Sequence, residues 1–352
     1  PRLQPIPAAD YSIGLLASSL VKDGGTLQLG IGSMGDAIVQ SLLMRDQRNS
    51  EYRQMLANWP LDIAEAASIG GLSPFEQGLY GATEMFVEGF LHLYEAGILR
   101  RRVYDFWALQ ALVNSGRCDP DKLDAGLFAA LADEGVRELR GKDFAVLQYH
   151  GLFRDDCHYH EGQIQAASGE CCPANLANPD SQAFLAAHCL GEALRHGKVL
   201  HGGFFLGSDD FYQRLREMPE ERRRQLAMCG VNKINQLDLN PRLYRLQRRD
   251  ARFINTGLNV SLNGAVASDT LESGQVISGV GGQYNFVAMA HQLQTGRSML
   301  MIRASRQQSG EAVSNILSQY GSCTVPRHLR DMVITEYGIA DLRSKRDAEV
   351  AA

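Results

Sequence analysis

The sequence predicts an α/β fold, a largely parallel open sheet flanked by helices and carrying an inserted segment. Three observations lead there. Short apolar, β-prone runs alternate along the chain with helical patterns. Glycines stand at the junctions between them. The composition, 45% hydrophobic and 21% charged, is that of a chain that packs a core rather than one that stays disordered. At 352 residues the length suits one large domain with an insertion, or two domains.

Taken in order, TLQLGI at 26–31 reads as a buried strand, followed by a glycine turn and the helical pattern DAIVQSLLM from Asp36. Residues 61–105 alternate short apolar runs with glycines. They end in MFVEGFLHLYEAGIL, whose Met85, Phe86, Phe90, Leu91, Leu93 and Tyr94 suit a partly buried helix with Thr83 as its cap. FAVLQY at 144–149 reads as a buried strand, FLAAHCLGEAL at 184–194 as a helix, and KVLHGGFFLG at 198–207 as a strand and turn. A charged helix follows from Asp210, interrupted near Pro219. SMLMI at 298–302 and DMVITEYG at 331–338 read as the last core strands. The stretch from about Cys118 to Leu200 has the weakest periodicity and most of the Cys and His residues, which marks it as an insertion or subdomain.

The net charge of -5 gives no electrostatic reason to bind nucleic acid or an anionic membrane. No window has the apolar length of a spanning helix, and PRLQPIPAAD lacks the pattern of a secretory signal. Seven cysteines spread over the chain do not form a disulfide framework, so a soluble protein of a reducing cytoplasm is expected.

Gly30-Ile31-Gly32-Ser33-Met34-Gly35 is a G-x-G-x-x-G between a strand and a helix. The stretch that should supply a dinucleotide site's acidic residue, DQRNSEYRQ, is polar and helical or looped. Three readings stay open: a dinucleotide site, a packing turn, or backbone contact to another ligand. Cys157, His158, His160, Cys171, Cys172, His188 and Cys189 are soft ligands whose spacing builds no closed tetrahedral site, so no metal is expected. The basic runs at 214–225 and 242–252 read as solvated helix faces, the second with the alternative of facing an anionic ligand. Ser278 to Phe286 is a glycine-rich turn entering a helix. It is either a plain entry turn or one whose Gly281 and Gly282 amides converge as in an oxyanion hole. Glu84 stands near an expected helix start, where a carboxylate either compensates the dipole or, in a desolvated pocket, attacks an acyl carbon.

The blocks TLQLGIGSMGDAI, GATEMFVEGFLHLYEAGIL, FINTGLNVSLNGAVASD, SGVGGQYNFVAMA and TVPRHLRDMVITEYGIADLRSK occur in this order. Together they resemble the acetyl-CoA hydrolase/transferase family over about residues 12–346, interrupted by the Cys/His segment. The resemblance implies a three-layer CoA-transferase-like fold and a short-chain acyl-CoA as substrate. It implies Glu84 as the covalent nucleophile and Gly281 and Gly282 as oxyanion donors. Gly30, Ile31, Gly32, Ser33, Asn255, Gly279 and Gln283 would then line the coenzyme A and substrate site. Coenzyme A is a substrate in such enzymes, with no permanently bound cofactor. The implied partners are a coenzyme A thioester and a small carboxylate.

The chain departs from the family pattern at Ala82, where His is usual, at Gly35, where proline is frequent, and at Asn259 and Ser261, which replace two acids. Nothing in it matches the family's amino-terminal half. The expectation is therefore a carboxyl-terminal half, cut from a longer protein or working with that half or with a homo-oligomer partner. Its catalytic domain would run over 1–117 and 201–352, around an insertion at 118–200. The competing readings are a coenzyme A-binding regulatory module without turnover and, third, a dinucleotide-dependent oxidoreductase.

Overall fold

The computed structural model describes residues 6–59 and 68–352, so the apolar runs expected at 61–67 lie outside the described residues. The chain divides into two compact units. The larger comprises 1–101, 199–239 and 248–352, and the smaller comprises 102–198 and 240–247.

The larger unit is built on an eight-stranded sheet. Its strands are β1 (Thr26–Leu29), β2 (Tyr80–Val87), β3 (Leu200–Leu206), β4 (Leu226–Met228), β5 (Arg252–Thr256), β6 (Arg297–Met301), β7 (Met332–Thr335) and β8 (Gly338–Asp341). Their spatial order is β8-β7-β6-β5-β1-β2-β3-β4, and every pairing is parallel except β7 with β8. β1 is buried along its whole length, as a central parallel strand covered on both faces must be. Helix α1 (Ala8–Ser19) packs on α2 (Ser33–Gln47), and Ile13, Leu16, Leu20, Ile38 and Leu42 join Leu27, Phe86 and Phe90 in the main core. Burying each such side chain contributes roughly 1.5–3 kcal/mol.

From β1 the chain winds outward through β2, β3 and β4, then returns to lay β5 on the other side of β1. The strand order reverses there, and in open parallel sheets a crevice forms at that point beyond the carboxyl ends of the strands. This topology places the candidate site.

Three expectations about secondary structure are corrected. Met85, Phe86 and Val87 are strand, not helix: they pair in register with Phe204, Phe205 and Leu206, and the helix begins only at Glu88. Thr83 is therefore no cap. It is buried in β2 and its hydroxyl donates to the Met85 carbonyl. FAVLQY lies in a helix, Gly141–Tyr149, at whose start the Asp143 carboxylate accepts from the Arg140 backbone N–H and guanidinium, with Phe144 and Leu147 as its buried face. The helix expected over 184–194 runs instead over Pro179–His188, and Leu190 forms a bridge to Phe153.

The smaller unit has its own core of Phe128, Phe144, Phe153, Ile164, Leu185 and neighbours, with a three-stranded sheet formed by His158–His160, Gln163–Gln165 and Cys171–Pro173. No helix among the described residues is long and apolar enough to cross a membrane.

Candidate active site

At the reversal point lies a cavity of about 330 Å³. The end of β1 and its turn contribute Gln28, Leu29, Gly30 and Ile31; β2 contributes Glu84 and Met85; β3 contributes Phe204; β5 contributes Asn255 and Thr256. The turn Ser278–Gly282 and Gln283 and Phe286 of helix α3 (Gln283–Gln292) close the remaining side. The register makes this convergence inevitable. Leu27 pairs with both Gly81 and Arg252, so continuing along the strands brings Gly30 level with Glu84 and Asn255.

Glu84 is half-buried in β2. Its carboxylate sits against the glycine turn so closely that a Cβ on Gly282 would lie 2.0 Å from Oε2. Glycine at 282 is required by this approach, because its φ of -83° would suit other residues. Gly281, at φ +57°, occupies the left-handed region and turns the chain into α3. The first amides of a helix lack intrahelical acceptors and carry the positive end of its dipole, so this turn presents donors beside a carboxylate.

Asn235, immediately after the short helix Val231–Ile234, donates from Nδ2 to Glu84 Oε2 at 3.0 Å. Its own Oδ1 is buried and accepts no hydrogen bond from the described residues. One carboxylate oxygen of Glu84 is thereby held from behind. The sequence reading missed this residue, since nothing in V-N-K-I-N separates a site asparagine from an ordinary turn asparagine.

The other walls are braced by amide pairs. Gln28 and Asn255 exchange side-chain hydrogen bonds at 3.5 and 3.4 Å, joining β1 to β5. Gln283 Nε2 donates to the Thr256 carbonyl at 3.1 Å, fixing the start of α3 to the end of β5.

Of the residues named from sequence, Glu84, Gly281, Gly282, Gly30, Ile31, Asn255, Gly279 and Gln283 all line this one cavity. Gly32 and Ser33 are not among its lining residues. Gly32, at φ +105°, precedes α2, and Ser33 Oγ donates to the buried carboxylate of Asp10. Asn259 and Ser261 lie in a small sheet outside the lining, where Arg306 donates to Asn259 Oδ1 at 3.3 Å and Ser261 Oγ donates to Asn263 Oδ1 at 2.7 Å.

Among the described residues no three Cys, His, Asp or Glu side chains are grouped as a metal site. Burial pushes the Cys118 thiol up to about 12 and Cys172 to about 11, and raises Cys189 as well, so these are protonated thiols and poor nucleophiles at neutral pH. Three arginines of the second basic run brace the fold. Arg248 donates to the Gln236 and Lys233 carbonyls, Arg249 to Gly24, and Arg252 to Leu20, Ile69 and Thr295.

Similarity to known proteins in sequence falls on part of the chain. The segment 207–352, which contains the glycine turn and Asn235, matches the acetyl-CoA hydrolase/transferase C-terminal domain. Glu84 and the β1 turn come from outside the matched segment. The chain is 31% identical over 151 residues to a probable butyrate:acetyl-CoA coenzyme A-transferase of Syntrophomonas wolfei, an alignment covering 42% of this chain and 31% of that protein. It is 29% identical over 154 residues to the 4-hydroxybutyrate coenzyme A transferase of Clostridium kluyveri, covering 42% and 33%. The fold is shared with RipA from Yersinia pestis (TM-score 0.54, 17% identity, 100% of this chain and 50% of that one). It is also shared with a 4-hydroxybutyrate CoA-transferase from Porphyromonas gingivalis (TM-score 0.50, 18% identity, 100% and 52%). The chain thus spans about a third of these curated relatives and half of these structural ones.

Proposed function

We propose that this chain is the nucleophile-bearing half of a CoA-transferase or acyl-CoA hydrolase acting on a short-chain acyl-CoA through Glu84. The observation that carries the reading is the Glu84 carboxylate, held at Oε2 by Asn235 and opening beside the Gly281-Gly282 turn into a cavity.

With Oε2 held, Oε1 is the oxygen free to attack. It adds to the thioester carbonyl, whose developing oxyanion receives the Gly281 and Gly282 amides, and coenzyme A leaves as its thiolate. The product is a mixed anhydride between Glu84 and the acyl group. The thiolate then adds to the glutamyl carbonyl. Negative charge develops on Oε2, where Asn235 already donates, and the acyl carboxylate departs carrying Oε1. Glu84 is left as its coenzyme A thioester. An acceptor carboxylate reverses the sequence and takes up coenzyme A, returning an oxygen to Glu84; attack by water instead gives hydrolysis. Gly30, Ile31, Asn255, Gly279 and Gln283 are proposed as the wall for the thioester and the adjoining part of coenzyme A, while Gly32 and Ser33, outside the lining, shape the turn behind it.

The half of the relatives' length that this chain does not span is proposed to complete the cleft and exclude water. The smaller unit, 102–198 with 240–247, is proposed to be an insertion into the catalytic domain. The test is exchange of labelled acetate into acetyl-CoA by the wild type and by Glu84→Gln, an isosteric change that removes the nucleophile. Loss of exchange with an unchanged melting temperature supports the reading, and exchange retained by the amide variant refutes it.

A further inference from the structure

Strand β3 alternates its phenylalanines between two environments. Phe205, itself 41% exposed, packs on the opposite face of the strand, its ring 5.7 Å from Phe86 and 6.4 Å from Phe211, while its neighbour Phe204 lines the cavity beside Glu84. Phe204 is 44% exposed there, and Ile31 and Val280 on the facing walls are 51% and 37% exposed. Single exposed hydrophobic side chains are ordinary on a protein surface, but three converging on one concave site are the lining of an apolar ligand. The polar part of the lining is Gln28, Asn255, Thr256, Ser268, Ser278 and Gln283, all neutral, so the one charge among the described lining residues is the carboxylate of Glu84.

We infer that the acyl group is an uncharged hydrocarbon chain, the acyl of a monocarboxylic acid, seated over Phe204, Ile31 and Val280, with Phe204 setting the selectivity. This rests on the transfer reading above and narrows its substrate class. A dicarboxylic acyl-CoA would bring its second carboxylate into a partly desolvated cavity beside Glu84, where the like charge repels it and no described side chain of the wall neutralises it. A short alkyl chain instead covers apolar surface that is otherwise wet.

The experiment measures single-turnover formation of the Glu84 thioester in the 352-residue chain. Acetyl-, butyryl- and succinyl-CoA are each quenched with hydroxylamine, and the glutamyl hydroxamate is quantified by mass spectrometry. Butyryl-CoA is expected to label at least about tenfold faster than succinyl-CoA. Phe204→Arg supplies the missing cation and should lower that ratio tenfold or more, and Ile31→Arg gives an independent version should the first variant fail to fold. Each comparison is a ratio within one variant, so a general loss of rate does not imitate it. Equal labelling by butyryl- and succinyl-CoA in the wild type, or a ratio unmoved by both arginine variants, overturns the inference alone. No labelling from any of the three, acetyl-CoA included, overturns the transfer reading and this inference with it.

Discussion

In the proposed mechanism two residues beside Glu84 tune its carboxylate, and each has a distinct test. Asn235 makes one hydrogen bond that matters, to Glu84 Oε2, and in the proposed second step that bond strengthens as charge develops on the same oxygen. Asn235→Ala should therefore lower kcat about a hundredfold while KM changes little, the pattern of an interaction made chiefly in the transition state. A rise in KM alone would contradict that role. Gly282 acts by being small. Its backbone conformation accepts alanine, but the added Cβ would displace the Glu84 carboxylate, so Gly282→Ala should leave the melting temperature within a few degrees and cut thioester formation by about a hundredfold. Unaltered labelling in a folded Gly282→Ala would show that the carboxylate works from another position. Glu84, Gly281 and Gly282 were legible in the sequence because they stand in blocks with a family resemblance. Phe204 and Asn235 were not, because Phe204 comes to Glu84 by the register of β3 on β2 and Asn235 by the packing of the helix Val231–Ile234 against those strands, and residues far apart in sequence carry no local signal of meeting.

At the level of elements, the long apolar strands and amphipathic helices were readable from their spacing, and the errors fall where local pattern competed with pairing. Met85 to Val87 have helical spacing with the residues beyond them, yet parallel pairing with β3 extends the strand to Val87 and thereby places Glu84 in the sheet instead of at a helix start. FAVLQY is apolar enough for a strand, but only Phe144 and Leu147 are buried, an i,i+3 relation that belongs to a helix. The turn from β1 into α2 depends on an ion pair no local pattern announces. Asp10 of α1 is fully buried and accepts from Arg303 Nε at 2.6 Å and Nη2 at 2.9 Å, as well as from Ser33. Burial pushes the Asp10 carboxyl up, but the hydrogen bonds from Arg303 and Ser33 outweigh it and hold the group below its ordinary value of 3.8. A depressed carboxyl contributes stability that is complete above the unfolded value and is lost as pH falls through the folded one. Arg303→Met should thus cost roughly 2–3 kcal/mol at pH 7, because it strands a buried charge, and the gap to wild type should close on acidification below about pH 4. Urea titrations from pH 7 to pH 3 measure this; a gap that stays constant would show that Arg303 acts through packing alone.

For the whole molecule, the matched segment 207–352 carries the glycine turn and Asn235, while Glu84 is delivered from the first third of the chain by the pairing of β1, β2 and β5. The candidate site therefore exists only when the larger unit is folded, and its chemistry does not reside in the matched segment alone. If a complementary half completes the cleft, turnover of acyl-CoA should rise by orders of magnitude when the relatives' remaining length is supplied from a longer form of the same protein, since positioning and water exclusion are each worth several kcal/mol. Equal activity in long and short forms would show that this chain forms its cleft unaided. The central claim, that Glu84 is a covalent nucleophile toward an acyl-CoA, is tested most directly by peptide mapping after incubation with acetyl-CoA and hydroxylamine. The account predicts a hydroxamate on the peptide containing Glu84, absent when acetyl-CoA is omitted and absent in Glu84→Gln. Acetyl-CoA consumption with the modification on another residue, or with none on Glu84, would contradict it.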